Sequence, residues 1–277
     1  MSVAKIVTDF RTNANFAGDG EVDLFRKLAK AIVKNSKSLF AEETHGATKY
    51  NVSFDLTTGV KTRCEIADLL IVSKSVRFPF LRATFWQAKK QKTSKWVSLK
   101  SSDQHIDFSG QFNQWDLLSR RPAVAGISPF FPPSDLLSSF DSASIGSFGI
   151  FHERSSNIEV IHSIAEFIAC GNPKAKHPTM VANAYFEKYF YGHREVIVRS
   201  ALKSFLDALF SHQIGAPLVP TEAAHQWLAS YVAAKVAASG QDIPAGFFSG
   251  FDSPRALDIS GSGDGVSILL VGVGDAA

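Results

Sequence analysis

Two short apolar runs separated by a polar link dominate the first third of the chain. The runs read CEIADLLIV, beginning at Cys64, and LRATFW, beginning at Leu81. Both are rich in β-branched or aromatic residues and too short to be typical helices, so the pattern predicts two strands. Pro79 lies in the link between them, where its missing amide hydrogen keeps it out of a central ladder.

Polar residues interrupt the first run and close the second. Asp68 lies inside the first run, and Gln87 and Lys89 follow the second. Because the side chains of a strand alternate between its faces, Gln87 and Lys89 are expected to point the same way, with Ala88 opposite. Asp68 is placed to face them from the neighbouring strand. A carboxylate and an amide oxygen suit a hard cation such as Mg²⁺, and a nearby lysine can stabilise charge on a phosphate.

The spacing of these residues resembles the restriction-endonuclease-like superfamily, known as PD-(D/E)XK, in its Q-x-K form. Asp68 is followed after eighteen residues by Gln87-Ala88-Lys89, and the likeness covers roughly residues 15–130. The resemblance implies that Asp68 and Gln87 bind Mg²⁺, with Mn²⁺ as an alternative, and that Lys89 is catalytic. Two positions depart from the family pattern: Ala67 stands in place of the proline, and Gln87 replaces the usual acid.

A helix is predicted from about Gly20 to about Ser36. Its apolar residues recur with helical spacing at Leu24, Phe25, Leu28, Ile32 and Val33. Glu21 lies on the same side, and the superfamily often carries a glutamate in its first helix that is aimed at the metal site. The alternative is that Glu21 is simply an acid favoured by the positive end of the helix dipole. Glu42 and Glu43 are then the other candidates for the metal role.

A basic segment follows the second predicted strand. Five lysines and no acid occur between Gln87 and Lys100. Lys90, Lys92 and Lys95 are predicted to bind a nucleic-acid backbone, and a solubilising loop is the alternative. The following segment, GQFNQWDLL, is predicted to begin a helix that carries Gln111 and Gln114. The resemblance implies that polar residues of this helix approach DNA, whereas ordinary surface glutamines are the alternative.

Composition narrows the class of protein without naming a function. The chain has 277 residues, 45% of them hydrophobic and 20% charged, which is enough for a globular core. The formal charge of +3 is too small to predict nucleic-acid binding by itself. Two cysteines exclude a disulfide framework and a cysteine zinc site, and free cysteines favour the cytoplasm. No signal peptide or membrane span is expected.

The predicted fold class is α/β, a restriction-endonuclease-like mixed central sheet flanked by helices. Residues 1–165 are expected to form the nuclease-like core, with residues 1–18 irregular. Residues 166–277 are expected to be a helical C-terminal addition, either separate or part of the same domain. Helices are predicted over 180–191, 195–210 and 221–238, and the run VSILLVGV at 266–273 is predicted to be a late strand that returns to a sheet.

Together with the resemblance, these residues predict a Mg²⁺-dependent endonuclease that cleaves DNA in bacterial restriction or antiviral defence. The alternative is a catalytically inactive nucleic-acid-binding or interaction module on the same fold, which the replacement of an acid by Gln87 favours. Both a homodimer and an activating partner protein stay open.

Overall fold

The computed structural model describes residues 2–42, 51–78, 80–91, 105–128, 130–183, 187–191, 194–198, 201–251 and 266–273. Within these ranges the chain forms five α-helices and fifteen strands. The helices are α1 (Val3–Asn13), α2 (Glu21–Asn35), α3 (Phe112–Arg120), α4 (Leu202–Phe210) and α5 (Ala223–Ala238). The strands are β1 (Ser38–Ala41), β2 (Asn51–Asp55), β3 (Lys61–Glu65), β4 (Leu69–Ser75), β5 (Leu81–Lys90), β6 (His105–Ser109), β7 (Ala125–Gly126), β8 (Gly146–Arg154), β9 (Asn157–Ile164), β10 (Ala169–Cys170), β11 (Thr179–Asn183), β12 (Glu187–Tyr191), β13 (Arg194–Val198), β14 (Ala216–Pro217) and β15 (Ser267–Val273).

A mixed sheet forms the centre of the molecule. Its strands run in the order β1-β15-β4-β5-β8-β9, and β14 pairs with the start of β5. β15 is parallel to β4 and β5 is parallel to β8, whereas the other neighbours are antiparallel. Smaller sheets are formed by β3-β2-β7, by β10-β11-β6 and by β12-β13. The predicted α/β class with a mixed central sheet is therefore confirmed.

Helices cover both faces of the central sheet. On one face α1, α2 and α4 pack on a core that includes Trp86 and Ala88 of β5. On the other face α3 and α5 pack on a core that includes Phe85. Alternate residues of β5 therefore belong to opposite cores, as strand geometry requires. The odd-numbered residues of β5, including the positions of Gln87 and Lys89, lie on the α3 side of the sheet.

The first apolar run is divided between two sheets. β3 ends at Glu65 and β4 begins at Leu69, so Asp68 directly precedes a strand rather than interrupting one. β3 pairs with β2, but it belongs to a different sheet from β4. The predicted single strand is therefore wrong. The apolar pattern hid the break because Ile66 and Ala67, which connect the two strands, are buried themselves.

The C-terminal region contains more strand than predicted. The helix predicted over 180–191 is wrong, because β11 and β12 occupy that range, and β13 takes the first part of the helix predicted over 195–210. β11 pairs with β6, which is distant in sequence, so tertiary contacts override the local preference. α4 covers the second part of the predicted 195–210 helix, and α5 matches the helix predicted over 221–238.

The two termini of the described chain both contribute to the core. β15 returns to the central sheet as predicted, and Ile268, Leu269 and Val271 are buried. A strand that is apolar on both faces is typical of a sheet covered on both sides. At the other terminus the predicted irregular segment is wrong, because α1 forms there and buries Ile6 and Phe10.

Candidate functional site

Asp68 and Gln87 lie side by side at one end of the β4–β5 pair. Leu69 pairs with Trp86, so continuing the antiparallel register by one residue places Asp68 across from Gln87. The Ala88 N–H donates a hydrogen bond to Asp68 Oδ2 at 2.7 Å. The Asp68 carboxylate is therefore fixed against the main chain of β5, between Gln87 and Lys89.

Glu21 reaches the same end of β5 from the first turn of α2. Its Oε2 lies 3.6 Å from Lys89 Nζ, and its Oε1 accepts a hydrogen bond of 3.1 Å from the Lys90 N–H. Buried side chains such as Leu24 and Phe25 hold α2 against the sheet, and this packing fixes the position of its first turn. The structure thus brings Asp68, Gln87, Lys89 and Glu21 to one place, and their chemical roles stay predictions.

Trp86 anchors β5 immediately before the site. Its indole is fully buried, stacks on Phe205 of α4 and meets the Phe151 ring edge-on. It also packs directly over Gly149 of β8, where a Cβ would lie 1.6 Å from Trp86 Cζ2. Only glycine permits this close approach, which helps to fix the position of β5 relative to β8. Gln87 and Lys89 are then presented by a rigid strand rather than by a loop.

Gln87 is a buried amide without partners. The residue is 0% exposed, and within the described ranges neither Oε1 nor Nε2 has a hydrogen-bond partner. Lys89 on the same face of β5 is 5% exposed. A buried polar group without a partner costs about 1–3 kcal/mol, and folded proteins keep few of them. The Gln87 amide oxygen is therefore available to a ligand beside the Asp68 carboxylate.

Three carboxyl groups lie at this end of β5 together with the Lys89 ammonium. They belong to Glu21, Asp68 and Glu65, the last residue of β3. Glu65 is exposed as a residue, yet its carboxyl is partly shielded from water. This shielding and the negative charge of Asp68 raise the pKa of Glu65, and the positive charge of Lys89 opposes them. The carboxyl groups of Glu21, Asp68 and Glu65 therefore form a locally acidic cluster beside Lys89, and such a cluster can attract a cation.

The members of the site differ in their exposure to solvent. The Glu21 side chain is 42% exposed, and Asp68 is partly exposed, whereas Gln87 and Lys89 are buried. The carboxylates of Glu21 and Asp68 are therefore the members of the site that face solvent. We call the four residues together with Glu65 the β5-end site.

The β5-end site fits a hard cation through mixed oxygen donors rather than through a cluster of acids. Among the described residues, no group of three or more His, Cys, Asp and Glu side chains is arranged to hold a metal ion. A magnesium site does not need three such side chains, because Mg²⁺ also accepts amide and main-chain carbonyl oxygens as ligands. Asp68 supplies a carboxylate, and Gln87 supplies an amide oxygen that has no hydrogen-bond partner in the part of the chain that the structure describes. These residues fit the predicted metal.

The predicted nucleic-acid contacts lie in different environments. Lys92 and Lys95 lie outside the described residues. The Lys90 ammonium donates to the Asp19 carbonyl at 2.9 Å instead of extending into solvent. Gln111 is partly exposed and precedes α3, whereas Gln114 is 5% exposed and points into the protein. Contact between Gln114 and DNA therefore requires a local change of conformation.

Glu65 and Gln91 belong to this region, but they were not predicted from the sequence. Gln91 is 3% exposed, its Nε2 donates to the Asp107 carbonyl at 3.3 Å, and its Oε1 has no hydrogen-bond partner among the described residues. The signal for Gln91 was the alternation of Gln87, Lys89 and Gln91 on one strand face. The signal for Glu65 was an acid three positions before Asp68. Its place in the site could be recognised only from the structure, in which β3 ends at Glu65.

Comparison with protein-family models, curated proteins and solved structures finds no match to this chain. The resemblance to the PD-(D/E)XK superfamily therefore stays a prediction that rests on the motif residues.

In the part of the chain that the structure describes, no helix is both long enough and apolar enough to span a bilayer.

Proposed function

We propose that this chain is a Mg²⁺-dependent endonuclease that hydrolyses phosphodiester bonds of DNA, with Mn²⁺ as an alternative metal. The observation that carries the proposal is the juxtaposition of the Asp68 carboxylate, the unpartnered amide of Gln87 and the Lys89 ammonium. The mixed sheet with α2 before it and α3 between β5 and β8 supports the restriction-endonuclease-like fold. Restriction or antiviral defence in a bacterium is the setting that the resemblance implies.

Asp68 and Gln87 would hold the metal, with the Ala88 carbonyl and Glu21 as further oxygen donors. When bound, a divalent cation would polarise a phosphate oxygen and make a bound water more acidic. The charge of the β5-end site supports this requirement. A phosphate approaching Glu21, Asp68 and Glu65 is repelled unless part of their negative charge is neutralised.

Lys89 would stabilise the negative charge that develops on the phosphate and would orient the attacking water. The Lys89 residue is 5% exposed, so water screens its charge weakly and each interaction is stronger than at the surface. The ion pair with Glu21 holds the ammonium in place before substrate arrives. Lys89 donates hydrogen bonds in this role and does not need to lose its proton.

Lys92 and Lys95 would bind the phosphate backbone next to the cleaved bond. Neutralising phosphates with lysines releases counterions, so DNA binding should weaken as salt rises. Gln111 would contact DNA from the start of α3.

Burial of the two central residues favours a second candidate function. Gln87 and Lys89 expose 0% and 5% of their surface, which leaves little of either open to a phosphate. A catalytically inactive nucleic-acid-binding module on the same fold would tolerate that burial. The two candidates differ in whether bound DNA is cut.

Plasmid digestion tests the proposal. The wild-type chain should nick or linearise plasmid DNA with Mg²⁺ or Mn²⁺ and should be inactive in EDTA. Asp68→Asn should be inactive because a metal ligand is lost, whereas Lys74→Ala, at the other end of β4, should cleave like the wild type. A gel shift in Ca²⁺ measures binding separately. DNA binding without cleavage by the wild type would favour the inactive module and refute the nuclease.

A further inference from the structure

Lys90, the last residue of β5, joins the strand to the loop between α1 and α2 through three contacts. Its N–H donates to Glu21 Oε1 at 3.1 Å. Its Nζ donates to the Asp19 carbonyl at 2.9 Å and lies 4.8 Å from the centre of the Phe16 ring, within the range of a cation–π interaction. All three partners lie within six residues of one another, just before and at the start of α2.

The loop that Lys90 holds is a preformed unit. Asp19 accepts hydrogen bonds from the Asn15 N–H at 2.7 Å and from Lys27 Nζ at 2.6 Å, and the Asp19 N–H donates to the Asn15 carbonyl at 2.8 Å. Burial raises the pKa of Asp19, but the Asn15 hydrogen bond and the Lys27 ion pair outweigh it and lower that pKa overall. Asp19 is therefore a charged, well-held residue whose carbonyl has a fixed position.

The Lys90 ammonium is already used inside the protein. It is part-buried and bonded to a carbonyl oxygen above an aromatic ring, so binding a DNA phosphate would break contacts that the folded chain makes. In contrast, those contacts have a direct geometric consequence. They fix the start of α2 against β5, and the Lys90 N–H orients one oxygen of Glu21 so that the other lies beside Lys89.

We propose that the Lys90 side chain is a positioning group: by holding Asp19 and Phe16 against the end of β5, it fixes the start of α2 and so keeps Glu21 beside Lys89, and it does not contact nucleic acid. The catalytic consequence rests on the function proposed above, whereas the anchoring of the α1–α2 loop does not depend on it. Replacing Lys90 by methionine removes the bond to Asp19 and keeps most of the apolar stem. Lys90→Arg retains a cation that can donate to the carbonyl and stack on the ring.

Amide hydrogen exchange of residues 14–21 tests the anchoring without any activity. The full chain is compared as wild type, Lys90→Met, Lys90→Arg and Lys74→Met. Lys74 is a matched control because its ammonium also donates to a backbone carbonyl, that of Gly246, but at the opposite end of the sheet. Exchange of residues 14–21 should become faster in Lys90→Met, with partial or full rescue in Lys90→Arg and no change in Lys74→Met. Unchanged exchange in Lys90→Met would overturn the anchoring.

Mn²⁺ affinity and the salt dependence of DNA binding in Ca²⁺ test the role at the site. Loss of a residue that orients a metal ligand typically costs about 10-fold or more in affinity or activity. Lys90→Met should therefore weaken Mn²⁺ binding about 10-fold and leave the salt slope unchanged. A lost phosphate contact would instead lower the slope by about 0.9. A lower slope with unchanged Mn²⁺ affinity would overturn the proposal and make Lys90 a nucleic-acid contact.

The failure of the proposed function gives a different pattern. A wild-type chain that binds no Mn²⁺ and cuts no plasmid refutes the nuclease and the catalytic consequence of Lys90. Faster exchange of residues 14–21 in Lys90→Met would still support the anchoring in that case. Slow exchange in Lys90→Met together with a normal, Mn²⁺-dependent wild type would reject the positioning role alone.

Discussion

The buried polar side chains at the two ends of β5 differ in how many of their atoms have hydrogen-bond partners. At the beginning of the strand, the Arg82 guanidinium donates to the Gly215 carbonyl at 2.7 Å, although its Nε has no hydrogen-bond partner among the described residues. The Thr84 hydroxyl lies 2.7 Å from the Ser147 hydroxyl. At the other end, neither side-chain polar atom of Gln87 and only one of the two in Gln91 has a partner among the described residues. The strand is buried along its whole length except Lys90.

A buried polar group that is paired within the fold needs no ligand, whereas an unpaired one such as the Gln87 amide is a group that the proposed cation would satisfy. A buried group with a good partner has recovered most of its lost hydration, whereas an unpaired one costs about 1–3 kcal/mol. Among the described residues, the unpaired Gln87 amide lies at the end of β5 where the carboxylates of Asp68, Glu21 and Glu65 are also found. The beginning of β5 has no comparable acidic cluster among the contacts described above, and we expect it to be structural.

Loss of the Lys89 ammonium should have the largest effect on function. Removing a preorganised charged group from a site where charge develops typically lowers the rate about 10²–10³-fold. Lys89→Ala should therefore abolish most plasmid cleavage in single-turnover assays, while a gel shift in Ca²⁺ persists. Lys74→Ala serves as the control lysine. Undiminished cleavage by Lys89→Ala would reject the mechanism.

Protonation of His212 should have the largest effect on stability at the beginning of β5. His212 contacts the Ser73 hydroxyl and the Phe80 carbonyl. Burial, helped by the positive charge of Arg82, lowers its pKa to about 4, although the hydrogen bond to Phe80 opposes the shift. A depressed histidine pKa gives stability that is complete above about pH 6.5 and is lost as the pH falls towards 4.

Protonation of His212 should lower the free energy of unfolding by up to about 3 kcal/mol. Urea unfolding between pH 7.5 and 4.5 measures this loss. His212→Asn should reduce this pH dependence, since asparagine tolerates the positive φ of this position. Part of the slope should remain, because burial also lowers the pKa of His152 to about 4. An unchanged slope in His212→Asn would show that this histidine is not the source.

Paired methionine substitutions at the two ends of β5 should change stability in opposite directions. Gln87→Met removes an unpaired amide and should stabilise the metal-free protein by about 1–3 kcal/mol. Arg82→Met leaves the Gly215 carbonyl without its donor and should destabilise by about 1–3 kcal/mol. Urea unfolding in EDTA measures both. If Gln87→Met destabilises as much as Arg82→Met, then Gln87 is a structural residue.

A change at Glu65 should have the smallest effect. Its raised pKa means that folding disfavours the charged carboxylate. The resulting loss of stability grows as the pH rises above the pKa that Glu65 has in the unfolded chain. Glu65→Gln should therefore slightly raise the Tm of the metal-free protein at pH 7 and reduce the extra stabilisation by Mn²⁺. Glu166→Gln, at an exposed acid elsewhere, is the control. A lower Tm in Glu65→Gln would contradict this electrostatic account.

Local patterns predicted the elements whose signal is contained in the element itself. The apolar spacing of α2 placed Leu24, Phe25 and Leu28 in the core, and period-two alternation placed Gln87 and Lys89 on one face of β5. The apolar run of β15 predicted a strand for the same reason. These elements include most of the β5-end site.

Elements that depend on distant partners could not be predicted. β11 was mistaken for a helix because its pairing with β6 leaves no local trace in the sequence. The change of sheet between Glu65 and Leu69 was hidden because Ile66 and Ala67 are buried like strand residues. The role of Lys90 also required the fold, since a lysine in a basic run looks solvent-exposed until Asp19 and Phe16 are seen beside it.

Calorimetric titration of the metal-free chain with Mn²⁺ would show whether the Asp68–Gln87 end of β5 binds a divalent cation. We expect saturable binding by the wild type, loss of that binding in Asp68→Asn and Gln87→Met, and wild-type binding in folded Arg82→Met. Absence of binding by the wild type, or wild-type affinity in both Asp68→Asn and Gln87→Met, would contradict this expectation.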